Sequence, residues 1–384
     1  MSAVWTAPAD TVVGPRLSID LDAVAANTRL FVGRARGEVM AVVKADGFGH
    51  GAVDVARTAL ANGASRLGVT SLDEAVGLRF GGLMAPVLSW LNAVGADWAT
   101  AVRHDVEVAV PSVAHLHAIE RTTSGARVHL HLDTGMARDG SPPMDWSELC
   151  RAAKDAERRG RLQVVGVMGH LGCAGDPSDE RNRTARQLFD WGIGTAWSAG
   201  LSPQHRHLAA TAATLTDPDA HHTMSRIGAG LVGIDPSRTV DLESALTLSA
   251  PLVSVRTVRA GTPVGYGHTW TAPTPTRLGL LPVGYADGLP RIASGRAEVL
   301  VGGRRRPLVG RISMDMAVVD LEDALVTSGD DVVILGPGHA GEPTVQEWAG
   351  WADTIEHEIV TGLGARLRRT TSVAAMRHDV LRGR

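Results

Sequence analysis

Between about residues 37 and 240 the chain alternates short, β-rich apolar runs with amphipathic stretches, and this alternation limits its fold more tightly than any other feature. Strands are expected near 39–44 (VMAVVK), 66–70 (RLGVT), 86–90 (PVLSW), 106–110 (VEVAV), 127–132 (RVHLHL), 162–168 (LQVVGVM), 205–209 (HRHLA) and 224–231 (MSRIGAGL). Segments such as GAVDVARTALANG lie between them, with apolar positions at helical spacing and Gly63 as a stop. Near-continuous apolar strands belong to a parallel sheet covered on both faces. Eight βα units in about 200 residues therefore predict a TIM (β/α)8 barrel rather than an open sheet.

After about residue 240 the texture changes. LTLSAPLVSVRTV, TRLGLLPVGY, AEVLVG and RPLVGRISMDMAVVDL follow one another without helices between them, VGGRRRP reads as a hairpin turn, and TVQE at Thr344 resembles a capping box that opens a helix. The boundaries read as 1–240 for the barrel and 241–384 for a mainly β-strand domain, with the N-terminal segment a candidate to join the latter. At 384 residues, two domains agree with the size to which single cores grow.

In a TIM barrel chemistry collects where strands end, and the polar residues of interest fall there. Lys44 closes the first strand, Arg138 follows the fifth, His170 closes the sixth, Thr211 follows the seventh, and Arg226 and Gly228 lie in the eighth or the turn after it, while strand interiors read as mostly apolar. A lysine at the end of a buried strand loses basicity through desolvation, and a neutral amine can condense with an aldehyde cofactor. Taken alone, Lys44 reads better as a barrel-mouth lysine that snorkels to solvent. The DGFGHG that follows it supplies three glycines for tight turns and His50 as a polar neighbour. The loops after the seventh and eighth strands are where such barrels hold phosphate; Thr211 offers a hydroxyl there, and Gly228 and Ala229 offer backbone N–H groups.

Only two tyrosines occur in the chain, Tyr266 in PVGYGHT and Tyr285 in PVGYADG, although nine tryptophans and four phenylalanines serve packing. A phenol beside glycines can exchange a proton with a closely approaching substrate. The formal net charge of -3 gives no support for binding nucleic acid or an anionic membrane, and the clusters Arg304-Arg305-Arg306 and Arg366, Arg368, Arg369 read as solvated turn or helix-end charges. Cys150 and Cys173 form no disulfide framework and suit a reducing cytosol. The start, MSAVWTAPADTVVGPR, has neither a basic n-region nor an apolar h-region, and no stretch nears the ~20 apolar residues of a membrane helix, so a cytoplasmic protein is expected.

These motifs, taken together and in order, resemble the alanine racemases. The family's first barrel strand ends in Lys-Ala-Asn/Asp-x-Tyr-Gly-His-Gly, matched by Lys44 to Gly51. Its D-T-G-M-x-R recurs at Asp133 to Arg138, and its R-x-G-x-x-x-x-G at Arg226 to Gly233. The second-domain motifs recur at Tyr266-Gly267, Gly284 to Gly288 and Gly310 to Asp315. The likeness runs from LSIDLDAVAANTRL at 17–30 to TIEHEI at 354–359.

The resemblance implies a cofactor, pyridoxal 5'-phosphate, linked to Lys44, and racemisation of alanine by two bases, with Lys44 on one face and Tyr266 of the partner subunit on the other. It places Arg226 against the pyridine nitrogen with His170 orienting it. Thr211, Gly228, Ala229 and His357 fall near the phosphate, and Arg138, Tyr285, Met314 and Asp315 around the substrate. It implies a head-to-tail homodimer and calls for no metal. Three positions depart from the family. Phe48 and His357 each replace a tyrosine, and His131 stands where a carbamylated lysine is common. Thr211 in place of serine keeps the hydroxyl. Two alternatives stand beside the racemase: a broader-specificity racemase or decarboxylase of the same fold, and a non-catalytic pyridoxal-phosphate-binding homologue.

Overall fold

A computed structural model describes residues 14–372. Most of the N-terminal stretch read for a secretory leader lies outside the described residues. The chain divides into two units, Leu21–Glu243 and a second made of the described residues up to Asp20 together with those from Ser244 onward.

Strand β1 (Arg16–Asp20) belongs to the second unit. The first unit carries β2 (Glu38–Val42), β3 (Arg66–Val69), β4 (Val87–Ser89), β5 (Val106–Val110), β6 (Ala126–His131), β7 (Leu162–Met168), β8 (His205–His207) and β9 (Met224–Ile227). They form one eight-stranded parallel sheet in the order β8-β7-β6-β5-β4-β3-β2-β9. The Arg226 N–H donates to the Ala209 carbonyl at 3.0 Å, and the Thr223 N–H to that of Arg206 at 3.1 Å, bringing the two ends of the sheet together. The result is a TIM-like barrel. Helices separate the strands because the intervening sequences carry helical periodicity and end correctly; Ala52–Ala61, for example, stops before Gly63, whose φ of +106 only glycine adopts easily. Met40, Val42, Leu88, Trp90, Ala109, Met168 and Met224 pack as a buried cluster of this unit.

The barrel interior, expected to be mostly apolar, also carries a set of polar residues that the sequence reading did not single out together. Arg66, Glu107, His129, His207 and Arg226 are all buried. Strands covered on both faces have no solvated side, so polar residues within them must satisfy one another inside the protein.

The second unit is built on a nine-stranded sheet, in which β1 runs antiparallel to β10 (Leu246–Pro251) and parallel to Arg368–Ser372. The VGGRRRP turn is a hairpin joining Glu298–Val301 to Arg304–Val309, with Gly302 and Gly303 both at positive φ as its tight two-residue turn requires. Of the arginines after it, Arg304 is exposed like the solvated turn charge expected, but the other two are held by partners. Arg306 is buried and paired with Glu322 and Asp323, and Arg305 donates to Glu347 at 2.8 Å. The capping box opens helix Val345–Trp351, with Thr344 and Glu347 as its two members. Both cysteines are free. No helix of the described residues is long and apolar enough to cross a membrane.

Candidate active site

Lys44 stands two residues beyond the end of β2 rather than closing it, half-buried at the C-terminal rim of the barrel. The turn it begins is left-handed: Ala45, Asp46, Gly47 and Phe48 take φ values of 51, 52, 63 and 56°. Such a run costs roughly 1–2 kcal/mol for each non-glycine residue, so its surroundings must hold it. The Ala45 N–H donates to Glu74 Oε1 at 2.7 Å, and the Asp46 carboxylate accepts from the Ala52 N–H at 2.9 Å. Glycines 47 and 49 were legible as turn formers; the three non-glycine residues at positive φ and their clamp, Glu74, were not. The Lys44 amine lies 6.0 Å from the Phe48 ring centroid. Burial, reinforced by the charge of Arg138, pulls its pKa below the ordinary lysine value.

Arg226 lies within β9 and is buried. Its Nη1 donates to the His207 carbonyl at 2.7 Å and to His207 Nδ1 at 3.0 Å. Its Nη2 donates to the carbonyls of Gly169 (2.8 Å) and Leu208 (3.2 Å) and to His170 Nδ1 (3.1 Å). Both Nη atoms are thus taken up, and among the described residues the Nε–H has no protein acceptor. Burial and then the Arg138 charge lower the guanidinium to a pKa of about 10, still protonated at neutral pH. Burial and Arg226 push His170 down to about 3, which leaves a neutral ring able to accept. The backbone of His170 is held by Thr134, whose hydroxyl donates to the His170 carbonyl at 2.6 Å.

Thr211 opens a helix, Thr211–Thr216, and its hydroxyl accepts from the Gly230 N–H at 3.2 Å. Gly228 and Ala229 begin the neighbouring one-turn helix, so the first N–H groups there have no acceptor within that turn. A side chain at Gly228 would come within 2.7 Å of Phe48 Cζ; only glycine leaves this cradle open. Arg138 is exposed on the loop after β6. His131, at the end of β6, contacts the Asp139 carboxylate at 3.2 Å, and this hydrogen bond keeps Asp139 below its ordinary pKa. An anion therefore does stand beside His131, on a residue the sequence reading passed over.

The second unit gathers the other expected residues. Tyr266 is 71% exposed on a tight turn whose Gly265 and Gly267 abut Arg311. The Tyr285 and Ala286 N–H groups donate to the carbonyls of Ser313 (3.0 Å) and Met314 (2.9 Å); Gly284 allows this approach, since a side chain there would meet Ser313 O at 2.3 Å. Arg366, also not a merely solvated charge, pairs with Asp287 at 3.0 Å and Asp315 at 2.5 Å, and so ties the Tyr285 turn to the Met314-Asp315 loop. His357 is half-buried on helix Glu356–Gly362. Lys44, His170, Arg226, Thr211, Gly228 and Ala229 thus belong to the barrel unit, and Tyr266, Tyr285, Met314, Asp315 and His357 to the other.

An amine weakened as a base at a barrel rim, beside a permanently charged guanidinium with one donor left over, defines a lysine-centred barrel enzyme. The comparisons with known proteins agree. Residues 19–236 match the family described as alanine racemase, N-terminal domain, and residues 245–371 the alanine racemase, C-terminal domain. An alanine racemase of Thermobifida fusca is 44% identical over 359 residues, covering 91% of this chain and 96% of that protein. The alanine racemase of D-cycloserine-producing Streptomyces lavendulae superposes with a TM-score of 0.91 at 41% identity, over 94% of this chain and 98% of that one. The Bacillus anthracis racemase, solved with bound L-Ala-P, gives 0.88 at 30% identity, over 95% of this chain and 96% of that one. The chain belongs to the alanine racemase family.

Proposed function

We propose that this protein interconverts L- and D-alanine with pyridoxal 5'-phosphate held at Lys44. The observation that carries the reading is Arg226, a buried guanidinium with both Nη atoms consumed by protein acceptors and its Nε–H left over beside a lysine made less basic by burial. The barrel residues fit the cofactor. The Arg226 Nε–H suits a pyridine nitrogen, and Thr211 with the open turn at Gly228 and Ala229 suits a phosphate. Bound there, the cofactor supplies an electron sink that acidifies the α C–H of an amino acid.

The protein's part is to hold protons in the right places. Arg226, charged at neutral pH, donates a hydrogen bond without giving up its proton, which keeps the ring a moderate sink and favours simple return of the α-proton. Lys44 Nζ exchanges a proton with the α-carbon on one face. The Tyr266 phenol of the partner subunit does so on the other, because a single base would return the proton to the side it came from. Arg138 and the Met314 N–H take the substrate carboxylate, with Asp315 and Tyr285 framing the alanine. The cytosol, where alanine and free pyridoxal phosphate meet, is the proposed compartment.

The test is to incubate the purified protein with pyridoxal phosphate and L-alanine and follow optical activity. Decay toward equal enantiomers is expected. Tyr266→Phe should keep the yellow cofactor and lose racemisation by roughly 10²–10⁴-fold, the usual worth of a general acid–base. Undiminished turnover in that variant would defeat the two-base assignment.

A further inference from the structure

The buried polar residues of the barrel interior form a single directed chain. Arg226 Nη1 reaches His207 Nδ1 at 3.0 Å, His207 Nε2 reaches His129 Nδ1 at 2.9 Å, and His129 Nε2 reaches Glu107 Oε2 at 2.9 Å. Glu107, near the N-terminal end of β5, is held in turn by Arg66 and by Arg127 Nε at 3.2 Å.

The proton positions follow from the two ends. A guanidinium has no acceptor and a carboxylate no donor, so His207 must accept at Nδ1 and carry its proton on Nε2. His129 must then accept at Nδ1 and donate from Nε2 to Glu107. Each step allows one tautomer only. Burial holds both rings neutral, as the scheme requires, and it raises the Glu107 carboxyl less than the hydrogen bond from His129 and the Arg66 pair lower it. The fold also reserves space for the chain: a side chain at Gly166 would meet His129 Nδ1 at 2.0 Å, and the β6–β7 register shifts between Val128 and His129.

We propose that Glu107 is a positioning residue for the reaction at the barrel mouth, fixing through His129 and His207 the orientation in which Arg226 presents its remaining N–H. The inference rests on the assignment of Arg226 to the cofactor ring made above. Arg226 asks for the same tautomers from its own end, so the carboxylate's part is to anchor the far end: without it the buried His129 Nε2–H has no acceptor, and the two rings are no longer held in place beneath Arg226.

Glu107→Leu tests this. Arg66 and His129 share Glu107 Oε2 while Arg127 takes Oε1, so a glutamine can keep its carbonyl oxygen toward His129, whereas leucine leaves the buried His129 Nε2–H with no acceptor. The measurement is nitrogen NMR of the loaded protein with ¹⁵N-labelled histidine, His129 and His207 being identified by single substitution, together with steady-state kinetics. The unaltered protein should show both rings neutral, protonated at Nε2 and bare at Nδ1. Glu107→Leu should shift or broaden the signals of both rings and lower kcat at least roughly tenfold while KM for alanine moves less than about threefold. Glu107→Gln, which keeps an acceptor, should retain the original tautomers and more of kcat. A protonated Nδ1 on His207 in the unaltered protein overturns the proposal without any variant, and so does Glu107→Leu with undiminished kcat. Absence of any racemase turnover in the unaltered protein would overturn the functional reading and this inference with it, and a tautomer spectrum cannot mimic that result.

Discussion

Phe48 shows how much one atom at the barrel mouth decides. Its ring lies under the Lys44 amine, and its Cζ points at the space left open by Gly228. A phenylalanine there packs but donates nothing, where the family has a hydroxyl. Restoring it should add one hydrogen bond to a charged group, worth about 1.5–3 kcal/mol. We therefore expect Phe48→Tyr to tighten pyridoxal phosphate binding by roughly tenfold or more, read by absorbance titration of the cofactor-free protein. Unchanged affinity would place the phosphate away from the Gly228 turn. His131 is a departure of another kind. It cannot carry an anion itself, yet it contacts Asp139, whose carboxylate stays ionised beside it. Asp139 follows directly on Arg138 in DTGMARDG and looked like loop polarity; only the approach of β6 to its following loop gives it a partner.

At the scale of elements, the barrel strands were legible because a parallel sheet covered on both faces leaves an unmistakable apolar rhythm, and β5 and β7 fall where the sequence places them, at Val106–Val110 and Leu162–Met168. The strand ends were read less well. Sequence reasoning extended the first strand through Lys44 and the eighth to residue 231, whereas β2 stops at Val42 and β9 at Ile227. Both ends break off into turns that carry site residues, one of them left-handed over consecutive residues that include alanine and phenylalanine. Glu107 in VEVAV and His129 in VHLHL were visible as polar intrusions into buried strands, and that intrusion was the signal to follow. Gly166 makes the same point from the opposite strand. Gly166→Ala would drive a methyl group into the His129 imidazole, and such overpacking typically costs about 1–3 kcal/mol. We expect a lower midpoint of denaturant unfolding in that variant together with reduced turnover. Wild-type stability would show that the ring has room to move aside.

At the scale of the whole molecule, the expected residues divide between two compact units, the lysine with the barrel and both tyrosines with the sheet. A two-base racemisation needs both, and the family reading draws Tyr266 from a second copy of the chain. Mixed dimers test this directly. Lys44→Ala and Tyr266→Phe should each be inactive, but in a heterodimer both defects fall on one site and the other stays intact. Random mixing should then restore roughly a quarter of wild-type activity in a symmetric dimer. If Tyr266 serves its own chain's Lys44, each heterodimer site carries one defect and activity stays absent.

The sequence by itself determined the barrel, the change to a strand-rich second unit, and the residue types that carry amine and phenol chemistry, because hydrophobic periodicity and ordered motifs are local and survive in one dimension. Tertiary structure alone decided which polar residues meet inside the barrel. Glu107, His129, His207 and Arg226 are spread over more than a hundred positions of the chain. Their hydrogen bonds, the tautomers these impose and the donor left on Arg226 exist only once the sheet has closed and removed them from water.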